Sequence, residues 1–200
     1  MTVETIHITP TLRVRIELDE AAQNPLDVYP KLGKIAYVGR SRYVLGDEAC
    51  DLEDLDRIRD GIARGELVGM PVFAYIHGST TLKAAPTNPF SCPWDSAQSG
   101  FVYMTKQAAI KEWGNKAMTA TVLAKALDYQ RSLVDTFSSY LSDECYGFVI
   151  ERLTLDEDGD VTSAEQLDSC WGFIGDIDYC KDEAVQQAAN FVEEDTCEPH

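Results

Sequence analysis

The stretch from Thr119 to Leu155, TATVLAKALDYQRSLVDTFSSYLSDECYGFVIERLTL, changes its hydrophobic period part-way along. Up to Leu141, the residues Leu123, Ala126, Leu127, Gln130, Leu133, Val134, Phe137, Tyr140 and Leu141 keep the 3.6-residue period of an amphipathic helix. Lys125, Asp128, Arg131 and Asp135 fall on the opposite side. From Tyr146 to Leu155 the chain turns β-rich, and a second β-rich run, Gln166 to Ile174, follows the acidic turn Asp156-Glu157-Asp158-Gly159-Asp160. A long helix feeding a hairpin predicts an α+β fold: a mostly antiparallel sheet packed by one long and two or three shorter helices.

Working outward, Leu12, Val14, Ile16 and Leu18 alternate with Arg13, Arg15 and Glu17, the period of a half-buried strand. Lys34 to Gly39 and Arg42 to Leu45 predict two short strands of a hairpin, with Gly39 to Ser41 as its turn. Asp51 is placed to cap a helix carrying Leu52, Leu55, Ile58 and Ile62 and stopping at Gly65. Pro71 to His77 is an apolar, β-rich run that ends at His77. The prolines and serines between Pro86 and Gly100 predict a structured loop. Phe101 to Met104 then gives a strand, and Thr105 caps a helix through Trp113 that stops at Gly114-Asn115. A last helix spans about Asp182 to Val192, and the tail Glu193 to His200 frays. Two hundred residues suit one domain.

The net charge of −17 is unevenly placed: residues 143 to 200 hold 17 acidic and 2 basic side chains, residues 1 to 142 hold 17 and 15. Such a field repels phosphate backbones and anionic membranes, so no direct nucleic-acid binding and no membrane partner are expected; a basic protein surface would suit it. A metal cluster or a nucleic-acid mimic would also look acidic, and a solvated surface is the stronger reading. The start, Met1-Thr2-Val3-Glu4, lacks the pattern of a signal peptide and no apolar run could span a bilayer, which places the protein in the cytoplasm. Cysteines at 50, 92, 145, 170, 180 and 197 include no Cys-x-x-Cys pair, so free packing thiols are expected.

Few patterns point to chemistry. The 156–160 turn has carboxylates around a glycine but not the twelve-residue loop of a calcium site, and an ordinary turn is the stronger reading. No metal and no cofactor are implied. In Pro89-Phe-Ser-Cys-Pro-Trp-Asp-Ser96, Cys92 lies between two prolines beside Trp94 and Asp95. A thiolate nucleophile needs a base. With His7 and His200 near mobile ends, His77 is the candidate, oriented by Asp95, Asp168 or Asp176. A packing cysteine and a structural histidine outweigh this reading. A second segment, Asp168 to Cys180, joins Trp171 and Phe173 to Asp176 and Asp178, which suits a binding groove, although aromatic burial in a core that fixes two adjacent strands is the stronger reading.

The segments Pro89–Tyr103, Asp143–Glu151 and Asp168–Gly175 resemble a bacteriophage and mobile-element protein family. That family shares a strand ending in Asp-His-Ser-Gly, a Phe-Ser-Cys-Pro-Trp-Asp-Ser loop, a helix, a Tyr-Gly-Phe strand and an Asp-Ser-Cys-Trp-Gly-Phe strand. Residues 70 to 181 follow this order, with Ile76-His77-Gly78-Ser79 replacing the first motif. The resemblance implies a 70–192 core, with residues 1–70 as an extension or subdomain. It also implies a phage setting, in a host cell's cytoplasm, and no mechanism. The expected function is that of an acidic accessory protein binding a host or phage protein with a basic surface, in counter-defence of anti-restriction or anti-CRISPR type. The alternative is a cysteine-dependent hydrolase or transferase using Cys92 and His77.

Overall fold

The computed structural model describes residues 1–39, 42–114 and 116–195. Its elements follow as β1 (Thr2–Thr9), β2 (Leu12–Leu18), α1 (Pro25–Val28), β3 (Lys34–Val38), β4 (Glu48–Cys50), α2 (Leu52–Ala63), β5 (Leu67–His77), β6 (Ser79–Ala84), β7 (Ser96–Thr105), α3 (Lys106–Glu112), α4 (Ala120–Leu141), β8 (Cys145–Leu155), β9 (Val161–Ile174) and α5 (Ile177–Asp195). The class is α+β and the strands are mainly antiparallel, divided between two sheets. The chain forms two compact units: Met1–Gln23 with the chain from Asp143 onward, and Asn24–Ser142. The boundary near residue 70 that the resemblance implied falls inside the continuous strand β5.

In the first unit the strand order is β1-β2-β8-β9, antiparallel throughout. The alternation of β2 sorts its side chains as the period of two requires: Leu12, Val14 and Ile16 are buried, and Arg13, Arg15 and Glu17 take the other face. The apolar face meets α5 through Phe148 and Ile150 of β8 and through Cys180, Ala184 and Ala188 of the helix. These three small side chains recur every four residues, so the helix lies close on the sheet. The β8–β9 turn is held by Asp156, whose Oδ1 accepts from the backbone N–H of Asp158 and Asp160 at 3.0 and 2.9 Å. Gly159 supplies the positive φ of 87°. It is an ordinary turn, built by its first aspartate.

In the second unit the order is β4-β3-β7-β5-β6, with only β3 and β4 parallel. Both faces are covered. Ile35, Val72, Leu82 and Val102 pack beneath Val134 and Phe137 of α4, while Ala36 and Phe101 pack against Leu55 and Ile58 of α2. Burial on both faces explains why the centre of β7 is continuously apolar rather than alternating. Each such side chain removed from water contributes about 1.5–3 kcal/mol. The caps expected at Asp51 and Thr105 are present and Thr119 caps α4 in the same way, each side chain accepting from a backbone N–H three residues on. Asp143, at φ 57°, turns the chain out of α4.

Several expectations are corrected. Arg42 to Leu45 is not a strand, and no hairpin follows β3 among the described residues; β4 runs parallel to β3 instead. A parallel partner needs a longer connection than a turn, and Gly46 lets it pass over Ile35, where a Cβ would lie 2.2 Å from the Ile35 carbonyl oxygen. His7 is not on a mobile end: it lies in β1, opposite Arg13. The loop after Pro86 stops at Asp95, because Ser96–Gly100 extend β7, and β6 pairs with β5 across Gly78. Leu123 of α4 is exposed while its neighbour Val122 is buried. Asn115, Ser41, Cys197 and His200 lie outside the described residues, and α5 continues to Asp195. No helix among the described residues is long and apolar enough to cross a membrane.

Candidate functional site

His77 closes β5, and Gly78, at φ 80°, reverses the chain into β6. The loop that follows returns to the same end of the sheet and is fixed by its own polar side chains. Asn88 accepts from the Phe90 N–H through Oδ1 at 3.0 Å and donates from Nδ2 to Ser96 Oγ at 2.9 Å. Ser96 Oγ donates in turn to the Cys92 carbonyl at 2.6 Å, and the Ile76 N–H donates to the Asp95 carbonyl at 2.9 Å. Phe90 packs on Tyr75 with ring centroids 5.5 Å apart. Prolines restrict what the hydrogen bonds leave free.

Within this frame Cys92, Asp95 and His77 come together. The Cys92 thiol donates to Asp95 Oδ2 at 3.2 Å, and His77 Nδ1 lies 3.4 Å from the same oxygen. The carboxylate therefore stands between the thiol and the imidazole. A thiolate nucleophile activated by a histidine requires the thiol to meet the ring, with the acid behind it. Carboxylates are as a class weaker bases than imidazoles. The three residues are half-buried to exposed, the imidazole side chain being 71% exposed. Among the described residues, no group of three or more His, Cys, Asp or Glu side chains is arranged to hold a metal ion.

Beside this cluster β3 ends at Val38 while β7 continues, so Ser96–Ser99 has β5 on one side and, among the described residues, no strand on the other. A cavity of about 380 Å³ lies here, lined by Val38, Leu45, Ala74 and Ile76 and by Trp94 and Asp95 among others. Trp94 is 93% exposed. The sequence did not suggest Val38 or Leu45 as site residues, because the gap arises from where two strands stop pairing.

The remaining candidates belong to the first unit. Asp168 of β9 accepts from the Gln187 side chain on α5 and from the Ser169 N–H. Phe173 is partly buried between Phe148 and Tyr179, at centroid distances of 5.8 and 5.9 Å, which makes it a core residue. Trp171 is half-exposed and lies across Gly147. Asp176 caps α5 by accepting from the N–H groups of Asp178 and Tyr179, and Asp178 pairs with Lys181. Asp95, not Asp168 or Asp176, is thus the acid that His77 meets.

Sequence reasoning missed Glu151. It is 7% exposed and is held by Arg13 Nε at 2.7 Å and by Arg15 Nε and Nη2 at 3.0 and 2.9 Å. Burial alone would push its carboxyl up, but the hydrogen bonds from Arg15 and Arg13 outweigh this and hold it below the usual glutamate range. Two arginines on one face of β2 were the available signal that an acid must face them. Burial pushes the Cys145 and Cys180 thiols up to about 11, as suits packing cysteines.

The charge also sorts by unit. Residues 1–23 and 143–200 together carry 21 acidic and 4 basic residues, and residues 24–142 carry 13 of each, so the first unit holds the whole net charge of −17. Arg13 and Arg15 are spent on Glu151, and Lys181 binds Glu4 and Asp178. Asp156, Glu157, Asp158, Asp160 and Glu165 are exposed and have no cationic partner among the described residues. Comparison of the chain with protein-family models, with curated proteins and with solved structures returned no match.

Proposed function

We propose that this is an acidic accessory protein of a phage or mobile element, acting in the host cytoplasm by binding a host or phage protein that presents a basic surface, in counter-defence. The observation that carries the reading is the segregation of charge: one unit holds all of the −17 and the other is neutral. A fold that needed acid only for solubility would have no reason to concentrate it in 81 of its residues. Such a field speeds encounter with a cationic surface and excludes anionic partners. The cysteine-dependent hydrolase or transferase stands second, because the Cys92 thiol meets the Asp95 carboxylate and not the His77 ring.

Affinity capture from bacterial lysate at low and high ionic strength tests this reading. The expected result is a protein retained at low salt, released at high salt, and lost when Asp156, Glu157, Asp158 and Asp160 are replaced by their amides. Capture that ignores both salt and these substitutions overturns it.

A further inference from the structure

Trp94 is the most exposed large apolar side chain among the described residues, at 93%, yet it stands on a loop tied down at Asn88, Cys92, Asp95 and Ser96. An aromatic ring held in water by a rigid frame is what recognition surfaces present. Trp94 and Asp95 are among the residues that line the cavity at the end of β3, together with the aliphatic Val38, Leu45, Ala74 and Ile76. At about 380 Å³ the cavity sits near the small end of ligand pockets, which run from about 300 to 1,000 Å³. The Asp95 carboxylate is steadied at one oxygen, Oδ2, by Cys92 and His77.

We propose that this cavity takes an arginine side chain of the partner protein. Its methylene stem would lie on Ala74, Ile76 and Leu45, and its guanidinium would stack on Trp94 and pair with Asp95. The guanidinium fits all three features at once: it is planar and stacks on an indole face, it donates to a carboxylate through a rigid fork, and its stem is apolar. A neutral apolar ligand would leave the carboxylate unused, and an anionic one would be repelled by it. This inference deepens the proposal of a basic partner and rests on it for the source of the arginine; the cavity lies in the neutral unit, away in sequence from the acid that carries that proposal.

The test is a titration of the full chain with N-acetyl-arginine amide and with the citrulline analogue, which has the same shape and no charge, followed by the NMR shift of the Trp94 indole N–H. That resonance is identified by its loss in Trp94→Ala, and general binding is followed on the backbone amides of Ala97 and Gln98. The expected result is saturable binding of the arginine probe at millimolar concentration. Citrulline should bind at least tenfold more weakly, and Trp94→Ala should lose at least tenfold with its thermal midpoint unchanged. The amide substitutions at 156, 157, 158 and 160 should leave probe binding within twofold. Equal binding of citrulline, retention of binding in Trp94→Ala, or loss of binding in the amide variant would each overturn the cavity proposal. Failure of salt-sensitive capture with intact probe binding would instead remove the acidic-surface reading alone.

Discussion

Trp171 lies so close over Gly147 that a Cβ at position 147 would fall 2.2 Å from the Trp171 Cε3 and 2.9 Å from the Cys170 carbonyl oxygen. The two residues are direct partners across β8 and β9. Glycine at 147 is thus required by the indole that covers it and not by backbone conformation. Gly147→Ala should destabilise the protein by about 1–3 kcal/mol, as overpacking does, and thermal denaturation will read it. In a Trp171→Ala background the same change should cost less than half as much, the remainder coming from the Cys170 carbonyl. Equal costs in both backgrounds would place the strain elsewhere.

The thiol of Cys92 donates to Asp95 and makes no hydrogen bond to His77. Alkylation of Cys92 should therefore be insensitive to the ring: His77→Ala should change its rate at pH 7 by less than about threefold, where loss of an activating base would slow it far more. Mass spectrometry of the native protein, residue by residue, gives the answer. Cys145 and Cys180, buried and pushed up to about 11, should label only on unfolding.

Glu151 links stability to acid. Its folded-state carboxyl is held below its ordinary value, so the stabilisation is fully present above the unfolded-chain value of about 4.3 and is lost as the pH falls through the lower folded value. Glu151→Gln should cost about 1–3 kcal/mol at pH 7. That is less than the 3–5 kcal/mol for breaking a fully buried pair, because the Arg13 and Arg15 side chains remain 25% and 28% exposed. The difference between wild type and variant in chemical denaturation should shrink steadily below about pH 4.3. A difference that persists undiminished to pH 2 would mean that packing, not charge, is what the substitution removes.

The periodic elements were legible in the sequence for a simple reason. The helix at 120–141 and the strand at 12–18 each bury one face, and a one-faced element must write its period into the chain. β1 was missed because Ile6 and Ile8 are its only apolar residues that are even partly buried, so an edge strand left a faint pattern. A hairpin of Lys34–Gly39 with Arg42–Leu45 was expected in place of the parallel β3–β4 pair, because local turn chemistry says nothing about a connection that closes through Gly46 and Asp47. At the candidate site the sequence brought Cys92, Asp95 and His77 into consideration together, since a strand end and a proline-fixed loop were both visible. It could not order them. That the carboxylate stands in the middle depends on where the loop returns to β5, which is a long-range fact. The division of charge was half visible: the acid of the C-terminal part was countable, but residues 1–23 joining it could not be read from pattern.

The confinement of −17 to one unit has a consequence that needs no partner. Like charges on a single compact unit repel one another and oppose its folding, whereas a unit with 13 charges of each sign has no net field to relieve. Raising the ionic strength from about 10 to about 150 mM shortens the Debye length from about 30 to 8 Å, which screens repulsion between exposed carboxylates such as those at 156, 157, 158, 160 and 165. The ion pairs of this unit pull the other way, but the Glu151 cluster is largely shielded and therefore screened least. Hydrogen exchange read peptide by peptide should show β8, β9 and α5 gaining protection with salt, while α2, α4 and β7 change little. If both units respond alike, the field is shared across the chain and the acidic unit is not an electrostatic entity of its own. If the first unit alone responds, its folding already bears the cost of a charge that a basic partner would relieve.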